Sequence, residues 1–202
     1  RPARFIRDGK LVEMPALSEP ELLNFPGFGT LEAFNSDGLR SLIKTIDCPD
    51  MIEKTMRYPG HIGKIQLLKD IGLLSTEEIN VKGQMIRPID LTTNLLFPLW
   101  DLANEEDLTV MMVMVEGVKD GKKVRYTWDL ADYYDPATSI HSMARTTGYT
   151  ATAAARMVLA GLYTKKGISP PEYVGFEPAC VDFMLKDLAE RGVIYKEKIE
   201  TY

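Results

Sequence analysis

The Asp-Gly pairs at Asp8-Gly9 and Asp120-Gly121 constrain this chain more than any other local feature. Each lies between two extended runs: 3–7 and 10–14 around the first, 108–118 and 123–134 around the second. Asp-Gly accepts the positive φ angles of a two-residue hairpin turn, so both pairs predict tight antiparallel hairpins. The remaining segments are mostly helical in pattern. The order along the chain is hairpin, helices, long hairpin, helices, strand, which is not the regular strand–helix alternation of a doubly wound sheet. The expected class is α+β, with a mostly antiparallel or mixed sheet covered by helices.

Several elements can be placed by their boundary residues. Ser36 is a potential cap for a helix starting near Asp37, with Leu39, Leu42, Ile43 and Ile46 on one face. Residues 51–58 read as a strand. After Pro59-Gly60, an amphipathic helix carries Ile62, Ile65, Leu67, Leu68 and Ile71 and stops at Gly72. Pro88 suits the first turn of the next helix, with Leu91, Leu95, Leu99 and Leu102 as its apolar set. The run 108–118 has so little polarity that burial on both faces is expected. A small-residue helix is predicted over 149–162, an amphipathic one over 178–190, and a last extended run over 193–199.

Composition excludes some function classes. The net charge of -5 is opposite in sign to the basic surface that nucleic-acid binders carry. No run approaches the roughly 20 apolar residues of a membrane helix. Cys48 and Cys180 form neither a disulfide framework nor a zinc pattern, so a reducing, cytoplasmic setting is the default expectation. The chain starts at Arg1 rather than methionine, as a piece of a longer protein would.

Polar residues concentrate at three places. The first is Thr55-Met56-Arg57-Tyr58-Pro59-Gly60-His61-Ile62, a strand-to-helix joint. Arg57 can clamp a carboxylate through two parallel hydrogen bonds, or pair with a structural partner such as Glu53 or Asp70. His61 is either a helix-end hydrogen bonder or a proton-transfer group. The second is Asp129, Asp132 and Asp135, read as a solvated strand end, with magnesium-type ligation as the alternative. The third is His141-Ser142-Met143-Ala144-Arg145-Thr146-Thr147-Gly148-Tyr149, with Thr150 as a cap. A helix beginning there is either an anion site or simply a capped end. Gly27-Phe28-Gly29-Thr30-Leu31-Glu32 does not make a dinucleotide fingerprint. Glu32 stands where a small residue is needed, and a strand-like run follows instead of a helix.

"RYPGHI" followed by "LLKDIGLL", with "MARTTGY" and "KDLAERGVIYKEKIE", resembles the saccharopine dehydrogenase family, which includes lysine 6-dehydrogenase-like and carboxynorspermidine dehydrogenase-like enzymes. The resemblance runs from "RFIRDGKLVEMP" to the last strand. It implies the second, α+β domain of a two-domain NAD(P)-dependent oxidoreductase acting on CH–NH bonds of an amino acid of saccharopine or lysine type. That domain, similar to the C-terminal domain of glyceraldehyde-3-phosphate dehydrogenase, binds substrate and builds a homodimer. Residues 1–202 would be this single domain, with a segment from about 149 onwards packing back on an N-terminal Rossmann domain. NAD or NADP would be held by that Rossmann domain, with no cofactor on these residues. The family's acid–base residues belong to the other half, so no catalytic residue and no metal site is assigned here. The resemblance implies substrate contacts at Asn35, Ser36, Arg57, Tyr58 and His61. It places Arg145, Thr146, Thr147 and Gly148 ahead of a helix, near the cofactor. The competing functions are a non-catalytic dimerisation module, a polyamine enzyme of the carboxynorspermidine type, and a free-standing small-ligand binder.

Overall fold

The computed structural model describes residues 1–101 and 105–202. The chain divides by its contacts into two compact units, Arg1–Leu102 and Ala103–Tyr202. The class is α+β, and every strand pairing among the described residues is antiparallel. Among the described residues the strands form four separate small sheets instead of one.

The first unit begins with the expected hairpin, β1 (Ala3–Arg7) and β2 (Lys10–Met14). Asp8 and Gly9 adopt φ of 51° and 72° at its turn, the left-handed values a two-residue turn requires. A three-stranded sheet follows in the order β3 (Glu21–Phe25), β4 (Gly29–Asn35), β5 (Lys54–Arg57). A bridge between Ile6 and Met51 ties the hairpin to the segment entering β5. Between β4 and β5 lies only one helical turn, α1 (Leu42–Thr45). The longer helix expected from Asp37 is absent because Ser36 does not cap it. The Ser36 hydroxyl instead donates to Glu53 at 2.6 Å and lies 2.7 Å from the Thr55 hydroxyl. Helix α2 (His61–Asp70) follows the Pro59-Gly60 joint. A second small hairpin, β6 (Ile79–Val81) and β7 (Gln84–Ile86), was not anticipated. Helix α3 (Pro88–Trp100) starts at Pro88 as expected. Phe5, Leu31, Ala33, Phe34, Leu39 and Ile62 are among the buried apolar residues of this unit.

The second unit is built on the long hairpin of β8 (Leu108–Lys119) and β9 (Lys122–Tyr133). The last strand, β10 (Lys196–Thr201), pairs with β9, so β8 is an edge. Helix α4 (Ser142–Leu159) packs on β8 and β9, and α6 (Pro178–Ala189) packs on α4, with the short α5 (Pro171–Gly175) beside α6. Leu130, Leu188 and Val193 make one core cluster, with Met111, Tyr149 and Tyr195 against it. Val193 is thus a core residue ahead of β10 and not its first residue. Met157, Tyr163 and Cys180 make a second cluster.

Expectations about burial fail at three elements. The run 108–118 is half-buried only as far as Met112, and Met114 is 60% exposed. On α3, Leu91, Leu95 and Leu99 are exposed, Leu99 by 73%, while Leu102 lies outside the described residues. Leu67 and Ile71 of the α2 stripe are exposed as well. The chain presents 13,983 Å² to solvent, whereas two independent globules of half its mass would present about 11,500 Å². Hydrophobic periodicity reports which face will be covered, but not by what. In this chain alone, Leu130→Ala should lower the thermal midpoint by more than about 10 °C, since a buried Leu→Ala costs about 2–5 kcal/mol. Leu99→Ala, on an exposed face, should change stability by less than about 0.5 kcal/mol. Calorimetry on both variants checks the contrast.

Candidate functional site

The joint between β5 and α2 gathers Arg57, Tyr58 and His61. Its rigidity comes from a residue on the neighbouring strand. Glu32 of β4 pairs in register with Arg57 of β5, so the two side chains share a face. The Glu32 carboxylate nevertheless accepts from the backbone amides of Gly60 and Ile62, each at 3.1 Å. These are donors at the start of α2, where an anion meets both free N–H groups and the positive end of the helix dipole. Gly60 reaches this position with φ of 90°, a conformation that suits glycine. The His61 ring stacks on Phe34 with centroids 6.5 Å apart, and Tyr58 lies 6.1 Å from Phe28.

With Glu32 engaged by the helix, Arg57 has no carboxylate within ion-pair distance among the described residues. It donates only to the Met56 carbonyl, at 2.8 Å. Every other arginine of the chain lies within 4.0 Å of an aspartate or glutamate. Neither Glu53 nor Asp70 pairs with Arg57: Glu53 accepts from Ser36 and Gly38, and Asp70 from Gln66. Tyr58 beside it is 65% exposed. The pKa of His61 is lowered by burial first and by the Arg57 charge second, with Glu32 opposing. The imidazole is therefore neutral at pH 7. The joint thus offers an unpaired guanidinium, a phenol and a neutral imidazole on a fixed frame.

Asn35 ends β4, three residues from Glu32 or about 10 Å along the strand, and Ser36 follows it. Their side chains are engaged inside the protein. Asn35 is fully buried and donates to Ser18 at 3.1 Å and to Glu19 at 2.9 Å. Its Oδ1 is buried without a partner among the described residues. Glu19 also receives three hydrogen bonds from the Arg7 guanidinium. Hydrogen bonds from Arg7 first and Asn35 second hold its carboxyl at a pKa of about 2.

The other polar concentration is in the second unit. Helix α4 starts at Ser142, seven residues before Tyr149, so Arg145, Thr146, Thr147 and Gly148 lie within its first two turns instead of ahead of it. Its first amides are not free. Asp107 accepts from Ser142 N at 2.6 Å and Met143 N at 2.9 Å, with His141 Nδ1 3.2 Å away. Burial pushes the Asp107 carboxyl up, but those two amides and His141 outweigh it and leave it below the ordinary value. The expected anion site is therefore filled by the chain's own carboxylate. Thr146 and Thr150 return their hydroxyls to the carbonyls of Ser142 and Thr146, at 2.9 and 2.6 Å, and Thr147 bonds to Met143 O. Thr150 is not a cap.

Arg145 is turned inward. It bonds Asp132 at 3.3 Å, Asp135 at 3.2 Å and the Arg191 carbonyl at 3.2 Å. Ser142 adds a hydroxyl to Asp132 at 2.7 Å. Asp132 and Asp135 are thus anchors for α4 and not a solvated strand end, while Asp129 sits on the opposite face of β9 in register with Lys196. Among the described residues, no group of three His, Cys, Asp or Glu side chains is placed to hold a metal ion. Gly27, Phe28 and Gly29 form the β3–β4 turn, closed by Phe28 N to Phe25 O at 3.0 Å. These residues do not fit a dinucleotide, because no helix follows to receive a pyrophosphate.

Sequence reasoning missed Glu32 and Asp107 as helix caps. They act across 28 and 35 residues of chain, so no local spacing could have marked them.

A model of the family described as saccharopine dehydrogenase C-terminal domain matches residues 1–193, across both units. Carboxyaminopropylagmatine dehydrogenase of Synechocystis sp. is 26% identical over 203 residues, covering 97% of this chain and 50% of that protein. The chain therefore spans about half the length of that relative.

Removing Arg145 would leave the buried Asp132 carboxylate without its cation. Arg145→Met should cost about 3–5 kcal/mol in denaturant unfolding. Glu19 has a folded pKa below its unfolded value, so its stabilisation is present above pH 4.5 and is lost as pH falls towards about 2. Glu19→Gln should flatten the acid limb of the stability curve across that window.

Proposed function

The chain belongs to the saccharopine dehydrogenase C-terminal domain family, and on that premise we propose that it is the substrate-binding domain of an NAD(P)-dependent oxidoreductase acting on a carbon–nitrogen bond of an amine that bears a carboxylate. Arg57 carries this reading. It is the one arginine among the described residues without a carboxylate partner, and it stands on a joint fixed by Glu32. A guanidinium so placed suits bidentate recognition of a substrate carboxylate. The carboxyl group named in the substrate of the Synechocystis relative is in keeping with this. It favours a carboxylated polyamine as much as an amino acid of saccharopine or lysine type.

In this reading the chain binds and orients. Arg57 grips the carboxylate and so fixes the distance from that anchor to the reacting carbon. Tyr58 offers a hydroxyl to the polar part of the substrate. His61, kept neutral by burial and by Arg57, can accept a hydrogen bond from an ammonium without adding repulsive charge. The nicotinamide cofactor would accept or donate the hydride. It would be held by residues outside these 202, since the glycines here serve a hairpin turn.

The test is steady-state kinetics of the whole protein with NAD(P) and a panel of carboxylated amines. Arg57→Ala should raise KM about 10- to 100-fold, the value of a charge-assisted hydrogen bond of about 1.5–3 kcal/mol. Substrates lacking the carboxylate should be insensitive to the substitution. An unchanged KM for every carboxylated substrate would remove Arg57 from the site.

A further inference from the structure

Across the three-stranded sheet of the first unit, one row of residues carries three different chemistries. Leu22 of β3 pairs in register with Glu32 of β4, and Glu32 with Arg57 of β5. Directly opposed residues of an antiparallel sheet put their side chains on one face, and neighbouring strands lie about 4.8 Å apart. The row therefore reads cation, anion, apolar group over about 10 Å. Arg57 is exposed, Glu32 is half-buried and Leu22 is 66% exposed.

Glu32 is only half used by the fold. Gly60 N and Ile62 N both donate to the same oxygen, Oε2. Oε1 accepts no hydrogen bond among the described residues. An ionised carboxylate has acceptor sites on both oxygens, so Oε1 keeps its capacity. The two amide bonds also hold Glu32 away from Arg57, which donates only to the Met56 carbonyl. Opposite charges thus stand on neighbouring strands without closing on each other. Charges held apart in this way complement a ligand that carries both signs in the opposite order.

We propose that Glu32 is a specificity-determining residue of the Arg57 site: its Oε1 accepts the ammonium of a substrate whose carboxylate lies on Arg57, so that the site reads a zwitterionic head with both groups on one carbon. The proposal rests on the assignment of Arg57 and deepens it. The spacing selects the head. An ammonium and a carboxylate on the same carbon can each meet one of two directly opposed side chains, a single strand spacing apart. An ammonium at the far end of an extended aliphatic chain would overshoot Glu32 and meet Leu22 instead. Leu22 suits the aliphatic carbons that follow the head. His61 stays neutral through burial first and the Arg57 charge second, so it sets no charge against the ammonium.

Calorimetry on the whole protein tests this with 2-aminohexanoate, hexanoate and 6-aminohexanoate. The first should bind at least about tenfold more tightly than either of the others, the increment of one charge-assisted hydrogen bond. Glu32→Gln keeps a side-chain oxygen for the two helix amides but removes the charge. It should bring the affinities for 2-aminohexanoate and hexanoate close to each other. Arg57→Ala should weaken both. Equal binding of 2-aminohexanoate and hexanoate to the unsubstituted protein would overturn the role of Glu32, and this comparison holds even if Glu32→Gln fails to fold. A folded Glu32→Gln protein that keeps the preference, or weakens both probes alike, would overturn it too. In either case a loss of affinity in Arg57→Ala leaves the assignment of Arg57 standing. If neither probe binds, or Arg57→Ala changes nothing, that assignment falls and the role of Glu32 falls with it.

Discussion

The choice made by one carboxylate organises the first unit. Glu32 stands opposite Arg57 across an antiparallel pair, where a salt bridge would be the simplest outcome. It bonds to the amides that open α2 instead. An exposed ion pair is worth little, about 0–1 kcal/mol. Capping two helix amides with a charged acceptor is worth as much or more and also fixes the entry angle of the helix. The consequence is that β4, β5 and α2 are locked together while Arg57 is left unsatisfied. A functional group left free by the fold's own hydrogen bonding is a better pointer to a ligand than a conspicuous cluster.

The second unit shows the opposite case. Its polar cluster looked the richer of the two, with arginine, serine and threonines at a helix start. The carboxylate of Asp107 fills the helix N-terminus, and Asp132 with Asp135 consumes Arg145. Threonine hydroxyls return to the helix carbonyls. Burial explains the difference. A guanidinium taken out of water must find carboxylates, whereas Arg57 at the surface need not.

Local signals were legible wherever their cause lay within a few residues. Asp8-Gly9 and Asp120-Gly121 form their hairpins because those residues tolerate positive φ. Pro88 opens α3 because its missing N–H is no loss there. The Gly27–Gly29 loop fails as a dinucleotide cradle for the reason visible in the sequence, a strand following it. Signals with two possible outlets were misread. Ser36 could cap a helix or bond across the sheet, and Glu53 and Thr55 drew it across. The start of α4 moved to Ser142 because Asp107, 35 residues away in sequence, caps it there.

By itself the sequence determined the α+β class, the two Asp-Gly hairpins, the joint at Pro59-Gly60 and the family, since each rests on local chemistry or on motifs read in order. Tertiary structure alone decided which polar groups remain free. Arg57 and Arg145 are the same residue type in comparably polar surroundings, and only the positions of Glu32, Asp132 and Asp135 separate a free guanidinium from a buried one. It also decided that apolar runs such as 108–118 stay uncovered along much of their length. Periodicity says that a face is apolar, but the surface that meets it is set by contacts distant in sequence or made by another chain.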